Sequence, residues 1–315
     1  MQSIELLRVL IFVIGIGSVY GLAGAITIKG LLRRRKGTPD RRSLGQRRMD
    51  WAILILAAAG VLCFTYGYLI EPYWPEIAHV QIASSKVPAG HRPIRIVQIS
   101  DLHSDRTVRL ENRLPELIAS QKPDLIVFTG DAVNSPDAQP VFKSCLTNIA
   151  RIAPTFAVKG NWDSGFGRRV NLFEGTGARE LDGDAALMDI DGAPVWIAGV
   201  AVGHESRVGQ VLASIPDSAF TVFLYHYPDL IPDLSTHPID LYCAGHTHGG
   251  QVALPLYGAL VTLSKFGKRY ESGLYRVNHT WLYVNRGIGM EGGFAPRVRF
   301  GARPEITVID ISPGG

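Results

Sequence analysis

Five short apolar runs in this chain end on side chains that bind metal ions. IRIVQISDLH reaches Asp101 and His103, LIVFTGD reaches Asp131, TFAVKGN reaches Asn161, TVFLYH reaches His226, and LYCAGHTH reaches His246 and His248. Apolar runs of this length, bounded by glycine and aspartate, read as buried strands. In open α/β sheets, ligands bind in the crevice outside the carboxyl ends of the strands. Any fold for this chain must therefore bring five strand ends to one mouth lined with carboxylate, imidazole and amide donors. That is the donor set of a two-metal hydrolase.

The N-terminal quarter obeys a different rule. Residues 9–28 and 51–70 are uncharged apolar stretches of 20 residues, long enough as helices, at about 1.5 Å per residue, to cross the roughly 30 Å core of a bilayer. Neither has the polar face of a core helix. Between them, residues 29–50 carry Lys29, Arg33, Arg34, Arg35, Lys36, Arg41, Arg42, Arg47 and Arg48 against Asp40 and Asp50. A short basic loop stays on the cytoplasmic side, so everything after residue 70 is expected outside, facing the periplasm or cell exterior from a bacterial cytoplasmic membrane. Reading Arg47-Arg48 as a twin-arginine export signal leads to the same side. Tyr73 and Trp74, bracketed by Pro72 and Pro75, suit the membrane interface and end the second helix. Gly17, Gly21 and the run Ala57-Ala58-Ala59-Gly60 are small faces for packing the hairpin on itself or on a second copy.

The basic loop also accounts for the overall charge. The chain is +4, yet the loop alone is +7 and residues 1–28 are neutral, with Arg8 against Glu5, leaving residues 51–315 at −3. A nucleic-acid footprint on the folded domain is excluded on that count. Cys63 lies in the second apolar stretch; Cys145 and Cys243 read as small buried hydrophobes, with one disulfide between them open in an oxidising compartment.

Two regions follow: a membrane hairpin over 1–71 and one continuous domain over 72–315. Strands are expected at 80–83, 94–99, 125–129, 155–158, 195–199, 220–225, 241–244, 281–284 and 305–311, with helices at 108–121, 139–152 and 207–215. Alternation in the first half and strands in the second predict an α/β fold of two sheets sandwiched between helices.

In Asp101-Leu102-His103, an extended backbone would point both donors the same way. Gly130-Asp131, Gly160-Asn161 and Gly245-His246-Thr247-His248 repeat one device, a strand, a glycine that permits a sharp turn, then a donor. Each alone fits an ordinary turn or core histidine; together at strand ends they do not.

On these residues the chain resembles the calcineurin-like metallophosphoesterases, over about 79–311. The family pattern of Asp-x-His, Gly-Asp, Gly-Asn-His-Asp/Glu, a lone His and Gly-His-x-His is met by Asp101/His103, Asp131, Asn161, His226 and His246/His248. The GHTHGGQ tail, with the Gly-Leu-Tyr at Gly273 and the Arg-Pro-Glu-Ile at Arg303, resembles a membrane-associated or exported bacterial phosphohydrolase branch. The resemblance implies an αββα sandwich. It implies that Asp101, His103, Asp131 and His248 hold one divalent ion and Asp131, Asn161, His226 and His246 a second, with Asp131 bridging and a metal-bridging hydroxide attacking phosphorus. Asp131, Asn161 and His226 carry the catalytic role in this scheme. Mixed Asp/His/Asn donors suit Mn, Fe or Zn.

One position departs from the family. Trp162 stands where a histidine usually follows the asparagine, and indole donates a hydrogen bond without being able to transfer a proton. General-acid help is worth about 10² to 10⁴ in rate, so a leaving group needing little protonation, such as a phosphate leaving from a pyrophosphate, is expected. Arg168 and Arg169 are candidates for substrate phosphates or a solvated pair, and Asp163 for orienting a ligand histidine. The functional expectation is a membrane-anchored, two-metal phosphohydrolase acting on a phosphoester, phosphodiester or pyrophosphate, with a lipid-linked substrate suggested by its tether. Two alternatives stand beside it: a metal-binding interaction module with catalysis lost at Trp162, and a cytoplasmic-facing lipid-nucleotide pyrophosphatase.

Overall fold

The computed structural model describes residues 3–167, 170–292 and 296–314. Two long helices come first, α1 (Ser3–Arg35) and α2 (Leu44–Leu69). Then follow β1 (Glu76–Ser84), β2 (Ile94–Ile99), α3 (Leu114–Ala119), β3 (Leu125–Phe128), α4 (Gln139–Ala150), β4 (Thr155–Ala157), α5 (Asn161–Phe166) and β5 (Arg179–Glu180). The second half contributes β6 (Asp184–Ile190), β7 (Ala193–Gly199), α6 (Val208–Leu212), β8 (Phe220–Leu224), α7 (Ile231–Leu234) and β9 (Leu241–Ala244). The chain closes with β10 (Ala253–Leu254), β11 (Gly258–Ala259), β12 (Gly273–Val277), β13 (Thr280–Val284) and β14 (Glu305–Pro313).

Two six-stranded sheets form, in the orders β1-β14-β2-β3-β4-β5 and β12-β13-β9-β8-β7-β6, with β10-β11 as a separate hairpin. The run β2 to β5 is parallel, as are β13-β9-β8-β7, while antiparallel pairings join β14 to β2, β12 to β13 and β6 to β7. Central parallel strands are covered on both faces, which is why they are continuously apolar. Alternate residues of each strand point to opposite sides. Ile94, Ile96, Leu125 and Val127 of the first sheet meet Val195, Ile197, Val222 and Leu241 of the second in an inner core. Val97, Ile99, Ile126 and Phe128 face outward onto α3 and α4, and Ala198, Phe223 and Tyr242 face α6 and α7. The expected αββα sandwich is the observed one.

Several local expectations change. The helix expected over 108–121 shrinks to α3, because Pro115 lacks an N–H and fits only a first turn. The helix expected at 207–215 is confined to α6, with a 3-10 turn before it. The strands β5, β6, β10, β11 and β12 and the helices α5 and α7 were not expected; β6 has the alternating burial of an edge strand, and its polar positions obscure it in the sequence. Cys145 and Cys243 are free thiols in different core layers, the first in the outer layer under α3 and α4 and the second in the inner core between the sheets, so no disulfide joins them.

Both N-terminal helices are long and apolar enough to cross a membrane, with only 6% and 11% of their most apolar windows buried. They extend beyond the expected 9–28 and 51–70, so much of the basic loop is helical, and Ser43 with Gln46 forms a reciprocal cap that starts α2. The helices touch where Tyr20 lies over Gly60 and where Ala23 and Ala57 are buried. Gly17 and Gly21 have open space where a side chain would be, so their small face is not the helix contact.

Candidate active site

The central strands of both sheets end at one edge, and the expected donors converge there. Asp101, His103 and His248 form one group and Asp131, His226 and His246 another, each with one ligand atom per residue and those atoms within 4.8 Å of one another. The two groups adjoin: Asp131 Oδ2 lies 3.2 Å from His226 Nε2 and 3.6 Å from His103 Nε2, a carboxylate between the halves. Asp101 Oδ1 is 3.4 Å from His248 Nε2 and 4.0 Å from His226 Nε2. All six are buried.

The backbone route to this arrangement differs from an extended Asp-x-His. Asp101, His103, Asp131, His246 and His248 all have positive φ, at 49°, 40°, 56°, 73° and 52°. Non-glycine residues rarely adopt that region, and clusters of such residues mark functional sites. Asp101 and His103 still converge, while Leu102 between them turns into the outer core. The turns hold one another: Asp101 N–H donates to Gly130 O (2.8 Å), His103 N–H to Asp131 O (3.0 Å) and Gly245 N–H to His226 O (2.9 Å). At Gly160 a Cβ would come within 2.1 Å of Asp131 Oδ1, so the asparagine turn approaches the carboxylate only with glycine there.

Asn161 and Trp162 open α5. Asp131 Oδ1 accepts from Trp162 N–H at 2.9 Å, and Asp163 accepts from Gly160 N–H (3.0 Å) and Ala132 N–H (2.9 Å). Asp163 therefore fastens two motif turns together by their main chain and does not orient a histidine. The Trp162 ring stands edge-on to His103, 5.5 Å between centroids. Arg168 and Arg169 lie outside the described residues.

Outer partners set which ring nitrogen is free. His226 Nδ1–H donates to Thr129 O (2.7 Å), which leaves Nε2 as the donor atom; His246 Nε2–H donates to Leu263 O (3.4 Å), leaving Nδ1. His103 Nδ1–H donates to Asn134 Oδ1 (3.0 Å), and Asn134 Nδ2 in turn donates to His103 O (2.8 Å). Arg299, fully buried, places Nη2 3.3 Å from His248 Nδ1. Asn134 and Arg299 were not singled out in the sequence. Asn134 had one signal, its place three residues after Asp131; Arg299 had none.

Burial pushes His103 down to about 4 and His246 to about 3, and holds His248 well below the usual histidine range, so three imidazoles are neutral at pH 7. Burial opposes a charge on His226 as well, but Asp131 and Asp101 outweigh it and raise His226 to about 9. Burial lifts Asp101 and Asp163 to about 7, whereas the His226 charge overcomes burial at Asp131 and keeps it below the ordinary carboxylate range. Arg299 is lowered to about 9 by burial.

Two buried polar atoms in this mouth have no hydrogen-bond partner, His103 Nε2 and Asn161 Oδ1, and His226 Nε2 faces the Asp131 carboxylate at 3.2 Å. A buried polar atom left unpaired costs about 1–3 kcal/mol. Unpaired nitrogen and amide oxygen beside carboxylates fit divalent cations of intermediate hardness.

The family model for calcineurin-like phosphoesterase matches residues 94–250. The uncharacterized metallophosphoesterase YkuE of Bacillus subtilis is 34% identical over 270 residues, covering 81% of this chain and 93% of that protein. The phosphodiesterase YaeI of Escherichia coli is 31% identical, covering 79% of this chain and 92% of its own length. The UDP-2,3-diacylglucosamine pyrophosphatase LpxG of Chlamydia muridarum is 26% identical, covering 82% and 95%. Two adjoining groups of metal-ligand side chains and relatives named as a metallophosphoesterase, a phosphodiesterase and a pyrophosphatase agree on a hydrolase of phosphorus esters or anhydrides, and the chain belongs to the calcineurin-like phosphoesterase family.

Proposed function

We propose that the chain is a membrane-anchored phosphohydrolase, a hairpin over 1–71 carrying a catalytic domain over 72–315, that cleaves a phosphoester, phosphodiester or pyrophosphate bond in a lipid-linked substrate outside the cytoplasmic membrane. Asp101, His103, Asp131 and His248 would hold one cation, and Asp131, Asn161, His226 and His246 the other, with Mn, Fe or Zn suited to the set. Bound there, the cations supply charge to the phosphoryl oxygens and lower the pKa of the attacking water. The chain's own residues do the rest. Thr129 and Leu263 fix the tautomers of His226 and His246, Asp131 is oriented by the Trp162 N–H, and the Trp162 ring walls the mouth beside His103.

The observation that carries the membrane clause is Arg299. Its backbone N–H donates to Gly67 O near the end of α2 at 2.8 Å, and its guanidinium reaches the ligand His248. One residue thus spans from the second membrane helix to the site. The other domain-proximal helix end is docked as well, with Glu5 of α1 accepting from Thr262 N–H (2.8 Å) and Oγ1 (3.0 Å), next to the Leu263 that orients His246. Leu256, Tyr257 and Leu263 are exposed in this same segment. A substrate held in the bilayer would meet the site at high effective concentration. The basic connector lies at the opposite end of both helices, which supports an outward-facing domain.

The test is turnover by the full chain in vesicles with Mn²⁺, comparing a lipid-linked pyrophosphate with its water-soluble headgroup analogue. A higher kcat/KM for the lipid form is expected; equal values would remove the lipid clause. The relative named UDP-2,3-diacylglucosamine pyrophosphatase favours a pyrophosphate bond as the one cleaved, and the second reading is that chemistry on the cytoplasmic side. Protease access in intact cells separates the two, since only an outward domain is digested before lysis.

A further inference from the structure

The β10–β11 hairpin carries an exposed tip that the chemistry of the mouth does not use. Its turn is closed by Tyr257 N–H donating to Leu254 O (3.1 Å), and its strands pair Ala253 with Ala259 and Leu254 with Gly258. Pro255 takes the second turn position and Leu256 the third, at φ 65°. A positive φ after proline is the position that glycine or asparagine ordinarily fills. Leucine there meets the steric cost of left-handed backbone, and its side chain is fully exposed, so packing within the chain does not offset that cost. Tyr257 beside it is 43% exposed.

The tip lies level with the domain-proximal ends of both apolar helices. The Arg8 guanidinium of α1 stands 5.9 Å from the Tyr257 ring centroid, and the apolar stretch 9–28 begins at the next residue. A cleft has Tyr66 and Glu71 on the α2 side and Leu254 to Gly258 on the hairpin side. Tyr66 lies four residues, about 6 Å of helix, before the end of the stretch 51–70, so the hairpin stands alongside the last turn of α2. Main-chain bonds hold it there: Ala253 N–H donates to Phe300 O (2.7 Å), and Arg299 N–H to Gly67 O (2.8 Å). The Phe300 ring is edge-on to Tyr66, 6.2 Å between centroids. Lys268 Nζ donates to Tyr257 O (2.6 Å) and braces the turn. Tyr73 and Trp74, just past the same helix end, are exposed as well.

We propose that the Pro255-Leu256-Tyr257 tip is a third membrane contact, inserted into the headgroup region of the bilayer that α1 and α2 cross. This rests on the membrane reading above. Leucine at the tip suits the boundary with the acyl chains, while the Tyr257 ring and the Arg8 cation suit the headgroup level. The consequence reaches the site. The hairpin lies between Gln251, three residues after His248, and Leu263, whose carbonyl orients His246. An inserted tip therefore sets that rim of the mouth at the membrane surface.

The test places a polarity-sensitive fluorophore on single cysteines of the full chain, labelled in detergent and reconstituted into phosphatidylcholine and phosphatidylglycerol vesicles. Cys145 and Cys243 are buried, so the wild type is labelled at exposed Cys63 in α2. Leu256→Cys and Asp217→Cys, each with Cys63→Ala, report the tip and an exposed turn before β8, at the sheet edge away from the mouth. The label at 256 is expected to shift to the blue on reconstitution and to be quenched by phosphatidylcholine bearing a nitroxide near the headgroup, while the label at 217 does neither. Quenching at Cys63 without quenching at 256 overturns the proposal and leaves the membrane reading standing. A blue shift at 256 without nitroxide quenching also overturns it, since a second copy of the chain and not lipid would then cover the tip. Absence of lipid quenching at Cys63 itself removes the membrane reading, and the proposal with it.

Discussion

The metal-ligand mouth and the N-terminal helical hairpin are built for opposite surroundings. Asp101, His103 and His226 are completely inaccessible, enclosed by the chain's own strand ends. The hairpin leaves Ile11, Ile14, Leu62 and Phe64 more than half exposed, on helices long and apolar enough to cross a membrane. One region spends its packing on holding polar groups in strained backbone; the other has satisfied backbone and unsatisfied apolar faces. Glu5, Glu71 and Arg299 each join a helix end to the domain by main-chain or side-chain hydrogen bonds. Burial thus separates what works by charge from what works by location.

The largest effect should come from the mouth. Asp131→Asn removes the carboxylate shared by both donor groups, and loss of several kcal/mol of transition-state charge stabilisation corresponds to a fall of about 10³-fold in kcat. Metal content by mass spectrometry, measured with turnover, should fall alongside it; full metal content with full activity would contradict the shared role. Next, Asn134→Ala strips the partner of His103 Nδ1 and is expected to cost about 10- to 100-fold in metal affinity or activity. A metal titration reads this directly, and an unchanged affinity would make Asn134 a bystander.

A smaller effect belongs to the junction. Glu71 accepts from Gly301 N–H (3.0 Å) and buried Ala302 N–H (2.7 Å). Glu71→Ala leaves the Ala302 donor unpaired, a loss of about 1–3 kcal/mol, visible as a lower Tm in detergent. Metal stoichiometry should not change; if it does, junction and mouth are one unit and the contrast between them breaks.

The smallest effect lies away from both regions. At Asp124 burial favours the neutral acid, but hydrogen bonds from Arg92 and the Arg95 N–H outweigh it and depress the carboxyl below its ordinary value. A depressed folded-state pKa stabilises the fold above the unfolded value of about 3.9, and that contribution fades as pH falls below it. Urea midpoints of wild type and Asp124→Asn should therefore differ at pH 7 and converge below about pH 4. A gap that persists in acid would place its origin in packing and not in charge.

The strand ends could be read because each carries its donor within one or two residues of an apolar run, so a local signal fixes both element and chemistry. The apolar spans were readable for the same reason, although the helices continue past them into the basic connector. Other features had no local signature. Asp163 looked like an orienting carboxylate from its motif position, yet its oxygens are taken by the N–H groups of Gly160 and Ala132. Arg299 lies in a segment without periodicity, and it reaches the site because β13 pairs with β9, a long-range choice no window of sequence contains. Gly17 and Gly21 matched a packing motif, but helix contact is set by which faces turn inward, and Tyr20 on Gly60 sets it here.

The sequence by itself determined the donors, their order, the two apolar spans and the sandwich class, since apolar periodicity and donor spacing act within a few residues. The tertiary structure alone decided that five donors sit in left-handed backbone, which nitrogens face the mouth, and that a buried arginine joins the second helix to a ligand histidine. Those outcomes depend on contacts between strands far apart in the chain, where burial and hydrogen-bond geometry are fixed only after the two sheets close on one another.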